Sequence, residues 1–499
     1  MKCSGILLLA LFLTSSVVAY DSSLWKLIME QKMKAQQLKE EVQKPGYSIE
    51  KYEVPVQFVN SPIEEGKIDK RKQSAVVVPE VPNANHPDEQ KKPQDTKIAD
   101  SHMVKIYGDD ITMYYWMHIM VGNPPVRQSV ILDTGSDYTA VPCNCSPGSC
   151  GTHDNPPLNI TDTSVFLKCR ARVANYMCTT CDASQSKCTF YRHYAEGSSL
   201  TGDMMLQPIM FGDKGENMDK NEDDSHGIKA PIKMPIGCTT QETGMFLPQK
   251  ANGIMGLYYN SNSERFSPNL IDQLYNGGHI VTRGFGLCLG TYGGFFTLGK
   301  LRTDRHKKGA KTQTLNYIAN TNYMISVFSV SVNGKQIFKK VGWNTRASMK
   351  LDSGTTFSYF NVAISGPLIQ TIATFCRAKS TNCGGSQTFD GEMCISRSKN
   401  MHPTIQSFFD SFPTIDFKLG ANGEVDYSWS PRNYLRYAPN PMDPASPSYC
   451  GTIMTASPYT SQLLGNMFMR GRNFHFDRLD RKVTIVDADC DSVPPPFPE

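Results

Sequence analysis

From about Lys105 onward, short apolar stretches alternate with turns rich in Gly, Pro and Asn. MYYWMHIMVGNPP, SVILDTGS, GGFFTLGK, MISVFSVSVNGKQIF and KVTIVDADC are strand-length runs bounded by turn formers. That rhythm predicts an all-β protein with few helices. The best helix candidate is NVAISGPLIQTIATFCRAK, residues 361–379, and the nearly apolar-free run at 212–227 reads as a solvent loop. Residues 20–103 break the rhythm: they hold no cysteine, open with the helical pattern SLWKLIMEQKMKAQQLKEEVQK and continue as Pro-rich, charged sequence. They read as a pro-segment and linker rather than a core. Within them Lys70-Arg71-Lys72 is a candidate processing site, although solvated charge more often explains such a cluster.

Two apolar runs end alike. SVILDTGSDYTAVPC carries Asp133 where a buried strand meets a Gly-containing turn, and ASMKLDSGTTFSYF does the same with Asp352. Each is followed, more than a hundred residues later, by an apolar-apolar-Gly triplet, Ile254-Met255-Gly256 and Leu463-Leu464-Gly465. A single D-[TS]-G is a common surface turn. Two of them, each on an apolar strand and each with its own triplet, are a strong signal, and the two halves that carry them could be related by approximate two-fold symmetry.

Such symmetry would bring the two carboxyls face to face. A close pair cannot ionise cheaply at both positions, so it shares a proton and the two ionisations separate. One member then serves as general base and the other as general acid at the same pH. Gly135 and Gly354 permit the tight turns, and the hydroxyls of Thr134, Ser136, Ser353, Thr355 and Thr356 are expected to hydrogen-bond the carboxylates and hold them coplanar. The pair suits activation of water against an amide carbonyl without a covalent intermediate.

Composition narrows the setting. At 499 residues the chain is expected to form more than one domain, and a net charge of +4 gives no sign of a nucleic-acid partner. Lys2, an apolar run and the small residues Val17-Val18-Ala19 predict a signal peptide over residues 1–19. No later run reaches the roughly 18 apolar residues of a membrane span, so no transmembrane anchor is expected. Of 15 cysteines, Cys3 falls in the signal peptide and seven cluster between Cys143 and Cys188. In a secretory chain they predict disulfides, up to seven of them with pairing left open. Zinc at Cys178-x-x-Cys181 is the alternative. Asn159-Ile160-Thr161 is an N-glycosylation acceptor, and Asn144-Cys145-Ser146 a weaker one.

Over roughly residues 105–490 the chain resembles the pepsin family of aspartic endopeptidases. The landmarks run in family order: YYWMHIMVGNPP, DTGS, YAEGSSLTG at the flap hairpin, ANGIMGL, LDSGTT, and LLGNMFMRGRNFHFDRLDRKV. The resemblance implies a bilobal all-β fold with the substrate cleft between lobes at 104–300 and 301–499. It implies Asp133 and Asp352 as the catalytic pair and Tyr194 as the flap tyrosine. Gly135, Gly354 and Thr355 would meet an extended polypeptide substrate, held in the manner of an added β-strand. No cofactor or metal is implied, and a monomer in the secretory pathway or secreted from it is expected. The cysteine-rich insert at 143–188, with C-G-x-H at Cys150–His153 and Y-x-E-G-S at the flap, resembles the plasmepsin V and nepenthesin-like branch. Its protozoan members process secretory proteins, which makes limited processing the first reading and broad acid digestion the second. A catalytically dead binding protein on the same fold is the third, disfavoured because both Asp motifs are whole.

Several positions depart from the family pattern. Asp137 follows D-T-G-S where the family usually has Ser, and either raises the pKa of the pair or faces solvent. Ala140 replaces the tryptophan that commonly anchors the flap tyrosine, leaving the positioning of Tyr194 open. Glu196, two residues past Tyr194, either favours a basic substrate side chain or is a solvated hairpin-tip charge. His193 is expected to be an exposed strand histidine, and His153 to be packed structurally rather than to bind metal.

Overall fold

The computed structural model describes residues 101–492, apart from 110, 174–175, 213–230, 259–268, 319–321, 341–346, 379–382, 384–386, 390–392, 439–447 and 457–461. The expected signal peptide, the pro-segment up to residue 100 and almost all of the solvent loop at 212–227 lie outside the described residues; residues 101–103, also expected in the pro-segment, instead belong to the strand Ser101–Ile106.

The alternating runs become strands. In the first half they form a seven-stranded sheet in the order Trp116–Val121, Val126–Asp133, Gly253–Gly256, Thr139–Pro142, Ile232–Glu242, Ser199–Phe211 and Thr189–His193. Pairing of Trp116–Val121 with Ser199–Phe211 curls this sheet back on itself. The second half repeats the plan around Met324–Val332, Ser348–Leu351, Leu463–Leu464 and Ser358–Phe360. Asn333-Gly334 makes the tight turn between Met324–Val332 and Lys335–Lys339, as a two-residue Asn-Gly loop does between antiparallel strands.

A six-stranded sheet joins the halves, in the order Ser101–Ile106, Gly294–Gly299, Gly284–Leu289, Arg472–Asp477, Lys482–Asp487 and Gln313–Asn316. Three of its strands precede residue 300 and three follow it. The last described strands therefore pack against the first half, with Phe285 and Phe476 stacked at 4.8 Å between ring centroids. One apolar core runs through both halves.

The expected helix is present as Val362–Arg377. Asn361 caps it by accepting from the Ala363 N–H, and Ile364, Leu368, Ile372 and Cys376 form a buried stripe at four-residue spacing. Among the described residues no helix is long and apolar enough to cross a membrane.

The described cysteines pair as Cys143–Cys238, Cys145–Cys150, Cys169–Cys181, Cys178–Cys188, Cys288–Cys490, Cys376–Cys383 and Cys394–Cys450. Cys178 and Cys181 belong to different bridges, which removes the zinc alternative at that pair.

Candidate active site

Asp133 closes strand Val126–Asp133, which is buried from Gln128 onward. That strand lies parallel to Gly253–Gly256 with Gly256 opposite Asp133, and Ser348–Leu351 lies parallel to Leu463–Leu464 in the same way. The two distant triplets seen in the sequence are thus the strands against which the two Asp loops rest.

The loops grip each other across the pseudo-two-fold axis. The Thr134 N–H donates to Ser353 Oγ at 3.0 Å and the Ser353 N–H to Thr134 Oγ1 at 2.9 Å. Each hydroxyl then donates to the opposite half, Thr134 Oγ1 to Leu351 O at 2.9 Å and Ser353 Oγ to Leu132 O at 2.7 Å. The expectation that these hydroxyls hold the carboxylates is corrected: they satisfy buried backbone groups, which are costly to leave unpaired. Thr356 Oγ1 likewise donates to Met113 O at 2.7 Å, and the Thr355 carbonyl accepts from the Asn466 N–H at 2.7 Å. Ser136 remains beside Asp133, where its hydroxyl favours the charged carboxylate.

The grip sets the two carboxyls together. A Cβ on Gly135 would lie 2.6 Å from both Asp352 oxygens and 2.8 Å from Asp133 Oδ1, and one on Gly354 would lie 2.2 Å from Asp133 Oδ1. Only glycine fits between the turns and the carboxyls. Burial, then the charge of Asp352, pushes the Asp133 carboxyl up to about 7, against the opposing effects of Lys350, Ser136 and the Gly135 N–H. Two buried carboxyls this close cannot both ionise cheaply, so the pair holds a proton above the ordinary carboxylate range.

The two halves differ in one respect. Asp133 Oδ1 accepts from the Gly135 N–H at 2.7 Å, whereas Asp352 Oδ2 sits 2.9 Å from the ammonium of Lys350. Reading of the sequence missed Lys350. Its signal was a charged residue two positions before Asp352 in the strand SMKL, where the matching position of the first half is Ile131.

The flap is the hairpin of Thr189–His193 and Ser199–Phe211. At its tip the Tyr194 N–H donates to Ser198 O and the Gly197 N–H to Tyr194 O. The Tyr194 ring packs edge-on against Phe246, 5.1 Å between centroids. Burial, then the charge of Asp133, pushes its phenol well above the ordinary value, which places the flap tyrosine within electrostatic reach of the pair. Its buried hydroxyl lies beside that of Ser136, which opposes the rise, and among the described residues it makes no hydrogen bond of good geometry. Glu196 and His193 are exposed.

Asp137 is partly exposed, as the solvent reading expects, and it is also paired. Its carboxylate meets Arg192 Nε at 3.3 Å, and that guanidinium lies 3.7 Å over the Tyr138 ring. The flap strand is thereby tied to the first Asp loop by a contact between residues distant in sequence. In the insert, His153 Nε2 meets Glu242 at 2.9 Å and Nδ1 meets Gln249 O at 2.9 Å, both side chains of the ion pair being buried. This is the structural role expected, and among the described residues no cluster of ligands suits a metal. Asn144 exchanges two hydrogen bonds with the Ile160 backbone and Cys145 is bridged, while Asn159 is exposed. Of the two sequons, Asn159 has the free acceptor.

The profile described as eukaryotic aspartyl protease matches residues 114–488. Aspartic protease 5 of Toxoplasma gondii is 24% identical over 416 residues, 78% of this chain and 38% of that protein. Plasmepsin V of Plasmodium falciparum is 30% identical over 210 residues, 41% of this chain and 33% of that protein. Aspartyl protease family protein 1 of Arabidopsis thaliana is 24% identical over 401 residues, 77% of this chain and 69% of that protein. The match thus spans only about a third to two fifths of the length of the two protozoan relatives.

Proposed function

The chain belongs to the eukaryotic aspartyl protease family, and on that premise we propose that it is an aspartic endopeptidase of the secretory pathway that performs limited processing. The observation that carries this reading is the reciprocal Thr134–Ser353 grip, which sets two buried carboxyls together, a pair that cannot ionise cheaply at both positions. One carboxylate takes a proton from water as the water attacks the scissile carbonyl, and the other carboxyl protonates the carbonyl oxygen. An extended peptide lies across the pair beneath the flap, with Tyr194 over it and the backbone near Gly135, Gly354 and Thr355 making the main-chain contacts.

The disulfides suit an oxidising lumen, through which a processing and a digestive enzyme would both pass, so the choice between the two rests on the pair. Burial and the charge of Asp352 raise the Asp133 pKa, so the pair holds a proton to higher pH than an ordinary carboxyl does, which favours processing over digestion in a strongly acidic vacuole. The exposed Glu196 is the candidate for selecting a basic side chain. A mixed peptide library, cleaved from about pH 4 to about pH 7, tests the reading. Tight selection around a basic residue near neutral pH supports processing, and loose hydrophobic preference at the acid end supports digestion. No cleavage by folded protein freed of its pro-segment overturns both in favour of a binding protein.

A further inference from the structure

Lys350 occupies an unusual place. Its Nζ sits 2.9 Å from Asp352 Oδ2 and also donates to Gly135 O at 3.1 Å, so one ammonium links both Asp loops. Only 18% of its side chain is exposed. The groups that face it are Asp352, Asp133 and Tyr258, whose ring lies 6.0 Å away. Asp137 acts on Tyr258 from the far side and is itself paired with Arg192. Burial disfavours the ammonium, yet Asp352 and Asp133 outweigh it and hold Lys350 above the ordinary lysine value. It is therefore a fixed cation throughout the range in which the pair titrates.

A fixed cation on one side breaks the symmetry of a proton-sharing pair. Asp133 accepts one backbone N–H and has the Ser136 hydroxyl beside it, both neutral donors, whereas Asp352 has a full positive charge at contact distance. We propose that Lys350 is a positioning residue of the reaction, fixing the negative charge of the pair on Asp352 and leaving the shared proton on Asp133. This rests on the aspartic endopeptidase reading above and deepens it by assigning the roles within the pair.

The assignment gives a balanced cycle. The Asp352 carboxylate accepts a proton from water while the water oxygen bonds to the scissile carbon. The carbonyl π pair moves to its oxygen, which takes the proton from Asp133. The resulting gem-diol faces a protonated Asp352 and an ionised Asp133. Collapse returns a hydroxyl proton to Asp133, breaks the C–N bond and delivers the Asp352 proton to the leaving nitrogen. Both carboxyls then regain their starting states. A second consequence concerns pH, because a cation beside the pair favours every ionised form of it. Lys350 thus draws both limbs of the pH–rate profile toward lower pH.

The test compares the full chain with its Lys350→Met and Lys350→Arg variants. In Lys350→Met both limbs of the kcat/KM profile are expected to move to higher pH, by about one to three units, and Lys350→Arg is expected to keep them near the wild-type positions. A uniform fall in kcat with unmoved limbs overturns the proposal, since a merely structural role would give that result. A carboxyl NMR titration of protein labelled at the aspartate Cγ reads the same point without turnover. At about pH 6 the Asp133 signal is expected to be protonated and the Asp352 signal ionised in the wild type, and the reverse overturns the assignment even where Lys350→Met fails to fold. If the wild type cleaves no peptide while the NMR assignment holds, the endopeptidase reading fails and the charge asymmetry stands.

Discussion

Replacing Ser353 by alanine removes half of the grip between the two Asp loops. The Ser353 hydroxyl accepts from the Thr134 N–H and donates to Leu132 O, and Thr134 and Leu132 are both fully buried. Water cannot reach either group without opening the interface between the loops. An orphaned buried donor or acceptor costs about 1–3 kcal/mol, so the two together should cost about 2–4 kcal/mol after partial relaxation. Loosened loops should also misplace the carboxyls, and a displacement on the order of 1 Å lowers turnover by about 100-fold. Because the peptide is expected to be held largely by its own backbone, the loss should fall on kcat and leave KM nearly unchanged. Thr134→Val removes the mirror-image pair of bonds and should behave alike. The double variant should cost less than the sum of the singles, because both substitutions break one network. Denaturant unfolding with disulfides intact reads the stability, and steady-state cleavage of one good peptide reads the rate. Thr314→Ala, which removes one exposed hydroxyl pair with Thr484, is the control and should stay within about 0.5 kcal/mol. A Ser353→Ala protein as stable and as fast as that control would refute the reasoning.

Gly354→Ala would place a methyl 2.2 Å from Asp133 Oδ1 and should abolish cleavage while leaving a folded protein, as judged by circular dichroism. The Glu242 partner and the Gln249 carbonyl raise the His153 pKa against burial. The folded value then lies above the unfolded one, so the stabilisation is complete below about pH 6.5. It is lost as pH rises through the folded value. The stability difference between wild type and His153→Ala should therefore be larger in mild acid than in mild base, and an unchanged difference contradicts the pairing. Removing Cys288 and Cys490 together opens a loop spanning 202 residues and should cost about 3–5 kcal/mol by denaturant titration.

Much of this architecture was legible in the chain because it is written locally. Strands such as Val126–Asp133 and Gly294–Gly299 are short apolar runs between turn residues, and the helix at Val362–Arg377 shows its cap and its stripe. The pair itself was legible because the turn chemistry needs the same few residues twice. What escaped depends on register between distant segments. Nothing near Thr134 announces that its hydroxyl serves Leu351 rather than a carboxylate. Asp137 finds Arg192 only when the flap strand folds against the first loop. Lys350 is a charge in an apolar strand that was passed over in the sequence, because its meaning required the position of Asp352 Oδ2. The cysteine pairing and the sheet joining Gly284–Leu289 to Arg472–Asp477 were equally beyond local pattern.

The most direct measurement is kcat/KM on one cleavable peptide for the wild type, Asp133→Asn, Asp352→Asn and the double variant. A loss of at least about 10,000-fold is expected in each single variant and no further loss in the double, because the carboxyls act as one unit. Either single variant retaining cleavage within about tenfold of the wild type would contradict a mechanism that needs both.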